Sequence, residues 1–177
     1  MTTKQATWIE TFTHKRLDFY DPDPSQICIE DIAHHLANVN RFGGSIYQPY
    51  SVAQHSVIMS RMCPPELALE CLMHDAEEAY LGDIVKPFKS EQPIVAVAAS
   101  RFEKAIRQHF GMPGEAHPPE VKHWDNVMLN TEARDFGLDW YGTDKHDLPD
   151  AHEDIIIPWP WDVAKAEFLY RFQELTR

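Results

Sequence analysis

The sequence predicts an all-α fold, a compact bundle of about six or seven helices. Three observations carry that prediction. Helix punctuation recurs along the chain, with prolines where apolar-periodic segments begin and glycines where they end. Apolar residues return at three- and four-residue spacing within those segments, as one face of a helix requires. Period-two alternation, the mark of a half-buried strand, is scarce.

The elements follow in order. Residues 29–40 place Ile32, Leu36 and Val39 on one stripe, which Gly43-Gly44 is expected to stop. Ser51 with Gln54 has capping-box spacing for a helix through about Met62. Pro64-Pro65 opens a third helix, with Glu66 in its first turn and Gly82 just past its end. Pro93 begins a fourth that Gly111 ends, and Pro118-Pro119 begins a fifth that runs to Gly137. After Trp161-Asp162, Phe168, Phe172 and Leu175 give the last helix its apolar stripe. Residues 9–27 and 138–160 resist a helical reading, and Ile155-Ile156-Ile157 reads as a short strand or a hydrophobic clasp. Neither an internal repeat nor a flexible linker interrupts the chain, so 1–177 is expected to form a single domain.

At 177 residues the chain is long enough to bury its own core. Lys plus Arg total 16 against 28 Asp plus Glu, a formal charge of −12. That excess disfavours stable binding to nucleic acid but leaves room for a small phosphorylated ligand governed by a metal ion and a few local cations. No apolar run reaches the length of a membrane span, and the N-terminus MTTKQATWIETF is too polar for a signal peptide. Cys28, Cys63 and Cys71 contain no C-x-x-C pair and read as reduced thiols of a cytoplasmic protein.

His74 and Asp75 are the most informative pair. Leu69, Leu72, Met73 and Ala76 make their segment apolar, so both read as boundary residues on a buried helix. A carboxylate there is costly without a cation. Asp125 poses the same problem among Val121, Trp124 and Met128, and His55 lies on its own capped helix. One divalent ion answers all four. Adjacent helix residues diverge by about 100°, and Glu78 projects at about 40° on the same scale, between His74 and Asp75. Glu77 points about 60° to the other side and is expected at the surface. Mixed imidazole and carboxylate ligation suits zinc, manganese, iron, cobalt or nickel better than calcium. His34, His35, His109, His117, His123, His146 and His152 read as ordinary histidines.

Y-S-V-A-Q-H (50–55), L-M-H-D-A-E-E-A-Y-L-G-D (72–83) and D-N-V-M-L-N-T-E-A-R-D (125–135) together resemble the HD-domain phosphohydrolases. More narrowly, the chain resembles the short bacterial and phage branch related to 5′-deoxynucleotidases and phage dATP triphosphohydrolases. W-I-E-T-F-T (8–13), I-E-D-I-A-H (29–34) and R-F-G-G (41–44) extend the likeness over roughly residues 8–136. Residues 138–177 carry no matching motif and are expected to pack on the bundle as a tail.

The resemblance implies a compact helical bundle in which His55, His74, Asp75 and Asp125 hold one divalent transition metal. It implies Glu78 beside the attacking water, Asp83 on the sugar side of the pocket, Lys89 on phosphate and Arg41 on substrate. The aromatic that commonly follows that arginine is Phe42. Lys86 joins Arg41 and Lys89 in offsetting phosphate charge, with a second ion such as magnesium able to accompany the phosphates. The implied partner is a nucleotide substrate, in a homo-oligomer without membrane contact. Three functions compete: a deoxynucleotide phosphohydrolase releasing phosphate or tripolyphosphate, another HD activity on cyclic dinucleotides or alarmones, and a binding module without turnover. The Gly-Tyr-Pro extension of the cyclic-dinucleotide branch is absent, and no G-x-S-x-G elbow supports serine hydrolysis.

Overall fold

The computed structural model describes residues 7–138 and 148–177. Residues 139–147 of the stretch that resisted assignment, His146 among them, lie outside it, as does the polar segment 1–6. Among the described residues the fold is all-α apart from one small hairpin, which opens the stretch that resisted a helical reading. Strands β1 (Trp8–Glu10) and β2 (Arg16–Asp18) pair antiparallel, with Ile9 opposite Leu17. Asp31, buried near the start of α1 (Ile29–Asn38), ties down the hairpin turn. It accepts from the Thr13 amide at 2.7 Å and the Thr13 hydroxyl at 2.8 Å.

The Ile32/Leu36 stripe of α1 is fully buried, but the helix stops at Asn38 rather than at the glycine pair. Val39 and Asn40 turn extended, and Arg41–Gly44 form a 3-10 turn in which Phe42, Gly43 and Gly44 all have positive φ. Two glycines make that run tolerable; Phe42, at φ 57°, is held there against its steric preference.

The second helix, α2 (Val52–Met62), is the centre of the bundle and packs against α1 and against the helices over 68–73, 119–136 and 161–175. Ser51 caps it as predicted, accepting from the Gln54 amide at 3.2 Å. Gln54 does not complete a capping box. Its side chain, fully buried, donates to the Ile157 carbonyl at 2.8 Å and accepts from the Trp159 amide at 2.7 Å. Ile155-Ile156-Ile157 is therefore a clasp and not a strand: Ile156 is buried, while Ile155 and Ile157 stay exposed.

The helix expected from Pro64-Pro65 to just before Gly82 is broken. A 3-10 turn (Pro65–Leu67) leads into α3 (Ala68–Met73), residues 74–77 form a turn, and α4 (Glu78–Leu81) resumes before Gly82. Bonds from Ala76 N to Met73 O (3.1 Å) and Glu78 N to Asp75 O (3.0 Å) tighten the turn to three-residue closure. After a short helix α5 (Lys86–Ser90), α6 (Pro93–Phe110) and α7 (Pro119–Phe136) run between their proline starts and left-handed glycine ends. The last helix, α8 (Trp161–Leu175), buries Ala164 and Phe168. One cluster of contacting buried residues runs from Leu17 through Leu36, Val57, Leu72 and Phe102 to Phe168; a second gathers Tyr50, Met59, Cys71, Met128 and Ile156. Among the described residues, no helix is long and apolar enough to cross a membrane.

Candidate metal centre

Three elements bring the four expected ligands together. His55 projects from mid-α2, His74 and Asp75 from the turn after α3, and Asp125 from the second turn of α7. His55 Nδ1 lies 2.6 Å from Glu132 Oε1 and His74 Nδ1 lies 2.8 Å from the Cys71 carbonyl. A carboxylate and a carbonyl only accept, so each Nδ1 donates and each Nε2 turns inward. The two Nε2 atoms are 3.3 Å apart. Asp75 Oδ2 stands 3.0 Å from the His74 Nε2 and 3.9 Å from that of His55. Asp125 Oδ1 stands 3.5 Å from the His55 Nε2 and 3.9 Å from that of His74.

These donors fit a divalent transition metal. With bonds of about 2.0–2.2 Å, neighbouring ligands are separated by about 3–3.5 Å, and the observed spacings bracket that range. Two imidazole lone pairs facing each other at 3.3 Å repel unless a cation or proton stands between them. Without a metal the charge imbalance appears in the acid–base chemistry. Burial opposes a charged His74, yet Asp75 and Asp125 outweigh it and lift His74 to about 9. Burial likewise works against ionised Asp75 and Asp125, and the two histidines outweigh it, holding both well below the usual carboxylate range.

Glu78 is 6% exposed, and its Oε2 finds no hydrogen-bond partner among the described residues. Burial, then Asp75, Asp83 and Glu77, push its carboxyl up to about 10. Lys89 stands beside it, Nζ 3.8 Å from Glu78 Oε1. Glu77 is not the surface residue that helical spacing implied. It is half-buried, an oxygen of its carboxylate lies within 4.8 Å of oxygens of Asp75 and Glu78, and burial and Asp75 raise it to about 8. The broken helix explains the error, since angles measured on one continuous axis do not survive the turn at 74–77.

A cavity of about 380 Å³ adjoins the cluster through Arg41. Phe42, Asp83 and Lys86 line it as well, together with Ser45 and Leu129. Four of the five expected substrate residues thus share one cavity; Lys89 is not among its lining residues and stands at Glu78 instead. Arg41 is nearly buried. Its Nε and Nη2 donate to Glu132 Oε2 at 3.2 and 2.9 Å, and its Nη1 stands 3.8 Å from Asp75 Oδ2. Its guanidinium carbon sits 5.3 Å from the centre of the Phe42 ring.

Sequence reasoning missed Glu132, fully buried between His55 and Arg41. The signal was present: Glu132 follows Asp125 by seven residues, two turns along α7, and so shares its face. It also missed a second buried network, in which Arg107 of α6 grips Glu70 of α3 at 2.8 and 2.9 Å while His117 donates to the same carboxylate at 2.7 Å.

Fold and site define a class: a helical bundle with a largely buried imidazole–carboxylate cluster that could hold a metal ion, beside a cavity lined by Arg41, Asp83 and Lys86. The chain belongs to the same family as YfdR of Escherichia coli K12, with which it is 37% identical over 172 residues, 96% of each chain. An uncharacterized protein of Rhodobacter capsulatus is 35% identical over 142 residues, 73% of this chain and 72% of that one. YfdR, too, is described as uncharacterized. No family profile matches the chain.

Proposed function

We propose that this protein is a metal-dependent phosphohydrolase acting on deoxynucleotides, with the HD-domain likeness of its motifs as the guide to reaction class. The observation that carries the reading is the convergence of the His55, His74 and Asp125 donors, with Asp75 Oδ2 3.0 Å from the His74 Nε2, beside Glu78 Oε2, which has no partner among the described residues. When bound, a zinc, manganese, iron, cobalt or nickel ion supplies Lewis-acid chemistry, acidifying a coordinated water, offsetting phosphate charge and restoring neighbouring carboxyls to their ionised form. Glu78 accepts the proton of the water that attacks phosphorus, as its P–O bond to the leaving group breaks. Arg41 presents Nη1 toward the phosphate, because Glu132 already occupies Nε and Nη2. Lys86 and Lys89 add the local positive charge that a chain of net −12 lacks in its general field. Asp83 and Phe42 line the cavity that takes the nucleoside. A magnesium ion travelling with the phosphates is compatible with the acidic group Asp75, Glu77 and Glu78.

The test is a panel of deoxy- and ribonucleotide mono-, di- and triphosphates, incubated with the purified protein and manganese or cobalt. Inorganic phosphate from a deoxynucleotide identifies a nucleotidase, and tripolyphosphate identifies a triphosphohydrolase. No release from any member of the panel, by protein that has taken up stoichiometric metal, overturns the reading.

A further inference from the structure

We infer that Glu132 is a positioning residue that sets which nitrogen of His55 carries the proton while it holds Arg41, so that one buried carboxylate governs both metal ligation and the anion-facing arginine. The inference rests on the metal site of the proposed function but not on turnover. Glu132 is fully buried and its two oxygens are divided: Oε1 accepts from His55 Nδ1 at 2.6 Å, and Oε2 accepts from Arg41 Nε and Nη2 at 3.2 and 2.9 Å. Both neighbours come from other elements, α2 and the turn after α1.

Only a carboxylate accepts on both sides. A glutamine of the same shape has one accepting oxygen and one donating nitrogen, so it must choose. The guanidinium is charged and nearly buried, and charge-assisted hydrogen bonds are roughly twice as strong as neutral ones. Glutamine therefore turns its oxygen to Arg41 and its NH2 to His55. An NH2 facing Nδ1 requires Nδ1 to accept, which moves the His55 proton to Nε2, the atom that faces His74 and Asp125. A protonated Nε2 cannot ligate. Glu132 acts on the metal through this tautomer, and Arg41 is what denies glutamine the other orientation.

The consequence is a reversal that a purely structural role does not produce. Cobalt affinity is read by chelator competition on the full-length protein, metal-stripped and reloaded. Glu132→Gln is expected to weaken cobalt binding ten- to a hundredfold, the range usual for losing a hydrogen-bond partner of a ligating histidine. Adding Arg41→Met frees the amide to turn its oxygen to His55, so the Arg41→Met/Glu132→Gln double variant recovers to within about threefold of Arg41→Met alone. Arg41→Met/Glu132→Leu, which cannot accept from Nδ1, stays at least about tenfold weaker than that single variant. Should Glu132→Gln fail to fold with a buried unpaired guanidinium, the two double variants, which lack that charge, decide the matter between them. Nitrogen NMR of the metal-free proteins adds a direct signature, with the His55 proton on Nδ1 in the wild type and on Nε2 in Glu132→Gln. Equal cobalt affinity in the Gln and Leu double variants overturns the inference. So does a wild type that takes up no cobalt, whereas a wild type that binds cobalt and hydrolyses nothing overturns only the proposed function.

Discussion

Replacing Arg107 by Met removes the counter-charge of a buried carboxylate and keeps most of the side-chain volume. Arg107 is 3% exposed and grips both oxygens of Glu70, itself 7% exposed, at 2.8 and 2.9 Å. It also donates to the Gly114 and Pro113 carbonyls, which binds α6 to the loop that enters α7. After the substitution Glu70 keeps only His117 among the described residues. Breaking a buried pair from one side costs about 3–5 kcal/mol. For a chain of this size each kcal/mol moves Tm by about 2–4 °C, so the midpoint falls by roughly 6–20 °C. Glu70→Met/Arg107→Met removes both charges and loses much less, because no ion is left buried alone. Urea denaturation at neutral pH, followed by helical circular dichroism, measures both. The acid side supplies a second reading. Burial works against an ionised Glu70, but the hydrogen bonds from Arg107 and His117 outweigh it and hold the carboxyl below its ordinary 4.5. A depressed carboxylate stabilises the fold above its unfolded value and loses that contribution as pH falls through the folded one. The gap between wild type and Arg107→Met therefore narrows below pH 4.5. A gap under about 1 kcal/mol at neutral pH, the yield of an exposed pair, or a double variant no better than the single, refutes the reasoning.

Three further outcomes are expected. Because His74 in the metal-free protein holds its proton up to about 9, cobalt uptake at neutral pH releases at least one proton, and affinity weakens about tenfold per unit as pH falls. Calorimetry in buffers of different ionisation heat measures the release; an affinity flat between pH 6 and 8 contradicts it. Glu78→Gln keeps the metal and the fold while kcat drops about a hundred- to ten-thousandfold, and an unchanged kcat under conditions where chemistry limits the rate removes Glu78 from proton transfer. Gln54→Leu leaves the Ile157 carbonyl and the Trp159 amide without their partner, at about 1–3 kcal/mol for each group. Hydrogen exchange at Trp159 should accelerate by a matching factor, and unchanged protection shows that another group fastens the clasp.

Local signals carried most of the fold. Proline starts and glycine ends placed α6 and α7 to within a residue, because capping and φ preference are written in single positions. The same signals failed where tertiary demands overrode them. Nothing local marks the break after Met73, since His, Asp, Ala and Glu all tolerate a helix; the turn there sets His74 and Asp75 against His55 of α2 and Asp125 of α7. The hairpin at Trp8–Asp18 was illegible because three-residue strands are too short for alternation to show. The gathering of His55, His74, Asp75 and Asp125 was legible, since histidine and aspartate among apolar neighbours call for a compensating charge wherever they lie. Glu132 was not, because its meaning depends on Arg41 and His55, more than seventy residues away in sequence.

The clasp from residue 148 to Trp161 changes what a boundary means in this chain. Asn130, Thr131, Arg134 and Asp135 of α7 bind it on one side and Gln54 of α2 on the other. It then delivers α8, whose Phe168 is fully buried in the larger core. The residues of the candidate site all lie before residue 138, and a shortened chain designed from the motifs would end there. Such a chain would keep its donors and lose its keystone. α1 and α2 would each lose the face they pack against α8, and the side chain next to His55 would hold out an amide to an absent partner. Recombination that exchanged the segment after residue 137 between relatives would meet the same obstacle, because the piece without motifs is the one that must be cut to measure.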